Sequence, residues 1–295
     1  GGDLPPANIG RVSNRGYELQ LGWADAIGAF QYSIRGNVSY ARNKIAYMDE
    51  PPFPYPWMNE TGYSIGQYKG LETNGFYNTE EEAANHPNST IDGNRVQPGD
   101  LRYVDANGDN FIDSRDHVPI GYANLPRYTF GANFDFSYKG FGLSALFSGS
   151  AEGSFMMSGF YLMNPFYQTH NAAFAFQYEG RWTPEKAAQG IEPTFPRASL
   201  RTYSSINGQP SDFWLKSTDH IRLKNVEVSY TFSNLGILAK SGLSGMRIYA
   251  NGNNLLTWSS LIDGIDPEQQ DSGGANTGYL YPMTRIFNFG VNIQF

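Results

Sequence analysis

The chain has 295 residues and a net charge of −7; it is 15% aromatic and only 17% charged, with 33 Gly, 20 Tyr and 20 Phe. The negative charge argues against a nucleic-acid partner, and the absence of cysteine removes disulfides, thiolate catalysis and zinc–thiolate sites. No run approaches the roughly 18 apolar residues of a membrane-spanning helix, which excludes spanning by helices and leaves spanning by strands open.

The chain opens Gly1-Gly2-Asp3, without an initiator Met or a signal peptide, so an export signal is expected upstream and the chain reads as a C-terminal piece of something larger. Tyr17, Leu19, Leu21 and Trp23 alternate with Glu18, Gln20 and Gly22, which predicts a strand. A link at 25–29 turns it. Phe30, Tyr32, Ile34, Gly36, Val38 and Tyr40 then alternate with Gln31, Ser33, Arg35, Asn37 and Ser39. That run is much longer than an average soluble strand of about five or six residues. It ends at Arg42, Asn43 and Lys44, where the chain would leave hydrocarbon.

Residues 45–125 read as one long irregular region, and loops of that length tend to be functional. The run 51–57 is proline-rich and is expected to be extended and polyproline-like. Its Phe53, Tyr55 and Trp57 are candidates for contact with a substrate or a partner, or else pack their own loop. A short helix is predicted over 79–85, capped by Thr79, with Glu80, Glu81 and Glu82 at its positive end and Pro87 beyond it.

Two paired strands follow. Tyr128, Phe130, Ala132, Phe134, Phe136 and Tyr138 form one apolar face, a tight turn falls at Lys139-Gly140, and Phe141, Leu143, Ala145 and Phe147 form the next. A tight turn at one end and a very long loop at the other is the asymmetry of an outer-membrane barrel. Residues 151–212 are a second mainly irregular region, with helix expected over 171–180. The strand at 214–232 changes phase, from Ile221 and Leu223 to Val226, Val228, Tyr230 and Phe232, which predicts a bulge near Lys224-Asn225. Another strand covers 246–258. In the last stretch, Phe287, Phe289, Val291, Ile293 and Phe295 alternate with Asn288, Gly290, Asn292 and Gln294. A terminal aromatic strand frays unless it is docked. Lipid on one face and a wet lumen on the other would account for both faces, although an edge strand of a soluble sandwich also alternates. About seven long strands cannot close alone, since bacterial barrels need an even number of at least eight. The barrel reading is therefore of a segment.

One motif carries chemistry. Asp105, Asn107, Asp109, Asp113 and Asp116, with the carbonyl of Phe111, fall at the spacing of a calcium loop, and Ile112 would be its apolar anchor. Asn110 stands where glycine usually makes the sharp turn, and Asp116 replaces the longer bidentate Glu. Asx turns without a metal would use the same residues. His86, His117, His170 and His220 show no metal spacing and read as surface or loop residues. No phosphate loop, nucleophile elbow or dinucleotide fingerprint is present, carboxylate pairs for glycoside hydrolysis cannot be picked out by spacing, and no covalent chemistry is expected. Asn59 and Asn88 stand in sequons that a bacterial source would void.

Taken together, several segments resemble the C-terminal part of SusC/RagA-family, TonB-dependent outer-membrane transporters. They are N-R-G-Y-E-L at 14–19, G-Y-S-I-G-Q at 62–67 with the acidic T-E-E-E at 79–82, P-G-D-L-R-Y at 98–103 running into the 105–116 loop, and P-R-Y-T-F-G at 126–131. R-W-T-P at 181–184, D-H-I-R-L-K-N at 219–225, N-N-L-L-T-W at 253–258, D-P-E at 266–268 and the aromatic last strand complete the ordered set. The resemblance covers nearly the whole chain. It implies an all-β fold, the C-terminal segment of a large 22-stranded transmembrane barrel in the bacterial outer membrane, with a plug domain outside this sequence. It also implies TonB coupling through that missing part, a SusD-like lipoprotein lid, and glycan or peptide oligomers as substrate. The alternative is a secreted, soluble β-sandwich that binds carbohydrate through its aromatics.

Overall fold

The computed structural model describes residues 9–89, 91, 95–157, 173–199, 206–232, 236, 242–262, 264–268 and 283–295. Seven strands form one antiparallel sheet in sequence order: β1 (Arg11–Ile27), β2 (Phe30–Tyr47), β3 (Tyr128–Tyr138), β4 (Phe141–Ala151), β5 (His220–Phe232), β6 (Gly245–Ser259) and β7 (Ile286–Gln294). The tight turns lie at one end. The β1–β2 turn is Gly28-Ala29 only, shorter than the expected 25–29 link, because Gly28 supplies the positive φ that a two-residue hairpin needs. At Lys139-Gly140 both residues have positive φ, the sign pattern of a type I′ turn. The three long connections, 48–127, 152–219 and 260–285, all leave from the opposite end.

The register keeps the two faces chemically pure. Trp23, Ile34, Phe134, Ala145, Val226, Gly252 and Phe287 are cross-strand partners in one row over all seven strands. The neighbouring row runs Ala24, Ser33, Asp135, Ser144, Glu227, Asn251, Asn288. A one-residue slip anywhere would exchange the faces beyond it. The bulge expected near Lys224-Asn225 prevents that: Lys224 has no partner in the β4 or the β6 register, and Asn254, opposite it, has φ +52°. On the polar face, Gly290 makes room for the Tyr249 ring, which a Cβ there would meet at 2.3 Å.

Aromatic rings edge the apolar face. Tyr17, Tyr40 and Tyr128 pack in a row at the long-loop end, with centroids 5.4 and 4.7 Å apart. Phe141, Tyr230 and Phe232 pack at the tight-turn end, at 4.6 and 4.7 Å. Tyr128 and Tyr138 lie ten residues apart on β3, about 33 Å at ~3.3 Å per residue. At a barrel tilt of about 40° this is roughly 25 Å of apolar band, the height of an outer-membrane hydrocarbon zone.

Buried apolar side chains lie almost entirely outside the sheet. Of those described, only Ile45 belongs to β1–β7. Phe289 is 82% exposed and Leu21 66%. A soluble sandwich requires a second sheet over this face, and none packs there among the described residues. The core forms where the long loops meet, around Leu71, Leu101, Phe155, Met157, Phe195 and Trp214.

Region 45–125 is therefore less irregular than expected. Gln67–Gly70 pairs with Val118–Ala123, Thr73–Phe76 with Leu101–Tyr103, and Asn88–Ser89 runs parallel to Phe111–Ile112. The helix Glu80–Ala84 has the expected cap, with the Thr79 hydroxyl accepting from Glu82 N at 3.1 Å. The proline run is extended only as far as Tyr55; Pro56–Met58 is a 3₁₀ turn, with Lys69 Nζ donating to the carbonyls of Met58 and Asn59 at 2.8 and 2.7 Å. The expected strand over 214–232 is interrupted at Thr218-Asp219. There the Asp219 carboxylate accepts from Glu152 N at 2.8 Å and Thr218 N donates to Gly153 O. Leu215–Ser217 turns away to pair with Ser154–Met156. Helix covers Ala175–Gly180; residues 171 and 172 of the expected helix lie outside the described residues.

Candidate functional site: the loop cap and the polar face

The first two long loops fold into one cap. Leu71 N donates to Pro210 O and Asp212 N to Leu71 O, at 2.9 and 3.1 Å. Thr73 presents its N–H and its hydroxyl to the Asp212 carboxylate at 3.0 and 2.6 Å. Asp100, with no solvent exposure, sits at the centre of the joint. Its carboxylate accepts from Gln97 N at 2.9 Å, Arg197 Nε at 2.7 Å and Asn207 Nδ2 at 2.8 Å, while Asn207 Oδ1 accepts from Leu101 N. A buried carboxylate is tolerated because it is paired and fully hydrogen-bonded. Trp214 Nε1 donates to Asn207 O and the Tyr103 hydroxyl to Ile206 O. Burial pushes the Tyr103 phenol far above its ordinary 10 and that of Tyr77 up to about 12.

The 105–116 loop lies on this cap. Asp105 accepts from the backbone of Gly108 and Asn110, and Asn107 Oδ1 from Asp109 N. The fully buried Asp116 accepts from Ala106, Asn107 and Asp113 N. Asn110 has φ +61°, the left-handed conformation its position demands. Ile112 is buried in the core and Phe111 pairs with Asn88. Arg115 reaches back to Asp109 at 2.8 Å and Asp113 at 2.9 Å. That guanidinium holds the Asp113 carboxyl below its ordinary 3.8. Among the described residues, no three acidic or histidine side chains converge as metal ligands. The oxygens of the motif face backbone amides and Arg115.

The aromatic run meets this loop. Tyr55 and Trp57 stack with centroids 4.8 Å apart, and Trp57 Nε1 donates to Arg115 O at 2.8 Å. Phe53 remains exposed.

The polar face carries a ladder of bonds across the strands. Asp135 accepts from Ser33, Arg35 and Ser144 at 3.1, 3.2 and 2.9 Å. Arg247 pairs with Glu227, and Asn288 donates to Asn251 at 2.9 Å. Near the long-loop end, Arg222 is buried and bound to Asp266 at 2.6 Å, and Lys224 is bound to Glu268 at 2.6 Å. The third long loop thus returns its acids to the wall. Sequence reasoning missed this pairing, although H-I-R-L-K and D-P-E were its two halves. His220, expected at the surface, is buried there: its ring meets Ser150 Oγ at 3.3 Å and Thr218 O at 3.0 Å, and Glu268 lies 3.6 Å away. Strand alternation puts it on the inward face. His117 is half-buried and His86 packs edge-on against Tyr77, while His170 lies outside the described residues.

No family model matches the chain. In sequence it is similar to a TonB-dependent receptor of Formosa agariphila, 27% identical over 315 residues, 98% of this chain and 30% of the relative. It is also similar to the TonB-dependent receptor SusC of Bacteroides thetaiotaomicron, 24% identical over 307 residues, 98% of this chain and 27% of the relative. In fold it is similar to the RagAB peptide transporter, with a TM-score of 0.71 and 19% identity over 97% of this chain and 29% of that one. The 'open-open' and 'closed-closed' RagAB peptide importer structures follow at 0.67 and 0.65. In sequence and in fold the chain resembles the SusC/RagA-type TonB-dependent transporters. It spans 30% and 27% of the two curated relatives named. The seven-stranded sheet, with an aromatic-edged apolar face on one side and the Asp135 and Glu227 ladder on the other, is the fold of a segment of an outer-membrane β-barrel.

Proposed function

We propose that this chain is the C-terminal wall and loop cap of an importer that carries an oligomeric nutrient, a glycan or a peptide, across the outer membrane. In this reading, energy arrives through TonB by parts of the protein beyond this sequence, and a SusD-like lipoprotein lids the cap. The observation that supports it best is the one-sided architecture: every long connection leaves the same end of a two-faced wall, and two of them co-fold around Asp100 into a packed cap. The relatives named SusC and RagAB support a lidded importer. Exposed Phe53 is offered to the substrate or the lid; Tyr55 and Trp57 shape the surface beside it.

Calcium in the 105–116 loop belongs to the same proposal. The spacing of Asp105, Asn107, Asp109, Asp113 and Asp116, with the Phe111 carbonyl, supports it. A bound ion would take over the charge balance that Arg115 provides to Asp109 and Asp113.

The test is fractionation of the native protein, with an unheated-versus-heated gel shift and affinity purification in detergent. A heat-modifiable outer-membrane species that brings down a lipoprotein is the expected result. A soluble monomer near the 32.8 kDa of the chain would overturn the reading.

A further inference from the structure

The cap contains a cleft of about 420 Å³ between the first and second long loops. That is within the usual ~300–1,000 Å³ of ligand sites. Its floor is a bulge: Thr73 pairs with Tyr103 and Phe76 with Leu101, so Asn74 and Gly75 together oppose Arg102. Gly75 has φ +76°, and nothing lies within 4 Å of where its Cβ would stand, so the bulged backbone opens to solvent. Arg102 donates through Nε to Asn74 O at 2.9 Å, which fixes the guanidinium plane. Asn78 is fixed by Trp182, whose Nε1 donates to its Oδ1 at 3.0 Å. Ile191 and Pro193 form an apolar rim, with Glu192 between them. Arg102 and Glu192 are the two charges of the cleft, of opposite sign, and neither has an ion-pair partner among the described residues.

We infer that this cleft is a subsite for an extended peptide carrying both a carboxylate and an amine. The inference rests on the importer reading and narrows its substrate class. A guanidinium clamped at Nε presents its remaining N–H groups as a fork suited to a carboxylate. An amine answers Glu192, the opened bulge offers main-chain groups to an extended chain, and Ile191 takes an apolar side chain. A neutral glycan would leave both charges unanswered, and no exposed aromatic ring lines the cleft for a sugar to stack on.

The test uses the full-length protein in detergent and fluorescence anisotropy with three probes: labelled Ala-Ala-Glu-Ala-Lys-Ala with an amidated C-terminus, its equally amidated Gln/Gln analogue, and labelled maltohexaose. The charged peptide should bind best. Arg102→Gln should weaken it by roughly 10- to 100-fold, the range for a lost charge-assisted hydrogen bond, and should leave the Gln/Gln analogue unchanged. Ile191→Asp alters an exposed rim residue and does not threaten folding. It should weaken the same peptide by setting a charge where its apolar side chain packs. Equal binding of the charged peptide by wild type and both variants would overturn the subsite. So would preferential binding of maltohexaose that Arg102→Gln abolishes. If the protein is a heat-modifiable outer-membrane species and still shows no charge preference, the importer reading stands and the subsite falls. A soluble protein removes the importer reading, and the same titrations judge the cleft by itself.

Discussion

Arg222 and Asp266 meet at 2.6 Å with side-chain exposures of 1% and 7%, and so tie the third long loop to the polar face of β5. Glu268 lies 3.4 Å from the same guanidinium and 2.6 Å from Lys224. Removing Asp266 leaves the buried Arg222 only its longer contact to Glu268, which Lys224 shares, and a broken buried pair costs at most about 3–5 kcal/mol. Asp266→Ala is therefore expected to release this loop, read as new protease cleavage between Leu261 and Met283 on whole cells. Replacing both partners, as Arg222→Met with Asp266→Leu, should recover most of the protection, because no buried charge then remains. Equal cleavage of wild type and Asp266→Ala would show that the pair does not hold the loop.

The wall was legible in the sequence because period two is a local signal. Each of the seven strands announced its faces, and the phase change between Leu223 and Val226 located the bulge at Lys224. The cap was not legible, because its contacts are short and distant in sequence: Leu71 with Ser211, Asn88 with Phe111, Asp100 with Arg197. Two- to four-residue strands carry too few residues to show a period. The break at Thr218-Asp219 was hidden for the same reason, since the alternation runs on while the hydrogen bonds of Leu215–Ser217 go to Met156 and its neighbours. The site was half-legible. The acidic spacing of the 105–116 loop was plain, but Arg115 as the counter-charge of Asp109 and Asp113 depends on a side chain folding back, which spacing cannot express.

Leu21 stands opposite Gly36, midway between the two aromatic edges, and is 66% exposed on the apolar face. A charge near the bilayer midplane costs about 2–4 kcal/mol in such barrels. Leu21→Arg should lower the amount of heat-modifiable barrel in the outer membrane, whereas Gln20→Arg, one residue away on the polar face, should assemble like wild type. Equal yields for the two variants would contradict the assignment of faces.

Asp100 joins the two loops of the cap, and three donors point at its carboxylate. Asp100→Ala should destabilise the cap by about 3–5 kcal/mol, because Arg197 and Asn207 lose their acceptor in a buried site. The wall contributes nothing to this joint. The variant should therefore still reach the outer membrane with its heat-modifiable shift, but with cap cleavage near residues 90 and 200. Loss of assembly itself would mean that cap and wall fold as one unit.

Calcium, if it occupies the 105–116 loop, competes with Arg115 for Asp109 and Asp113. Chelation should then increase protease cleavage within residues 45–125, and Arg115→Gln should tighten calcium binding several-fold, measured by calorimetry on the detergent-purified protein. Magnesium should not substitute, since it demands a smaller octahedral shell than this spacing offers. Cleavage that is the same with and without chelator in both proteins would dismiss the ion and leave Arg115 as the permanent counter-charge.

Acid should loosen the same loop. His117 follows it directly, and burial holds its pKa below the ordinary 6.5, against the opposing pull of Asp116 and Asp113. An unfolded chain takes up that proton first, so the contribution of neutral His117 is full above pH 6.5 and declines as pH falls from there through the folded value. Asp113, held below its ordinary 3.8 chiefly by Arg115, acts in the same direction over a lower window: its contribution is present above 3.8 and is lost as pH falls through its own depressed value. Protease protection of residues 105–117 should therefore weaken between pH 7 and pH 5. His117→Gln should flatten that upper step, while the decline below pH 4 persists. An upper step that survives in His117→Gln would assign it to another group.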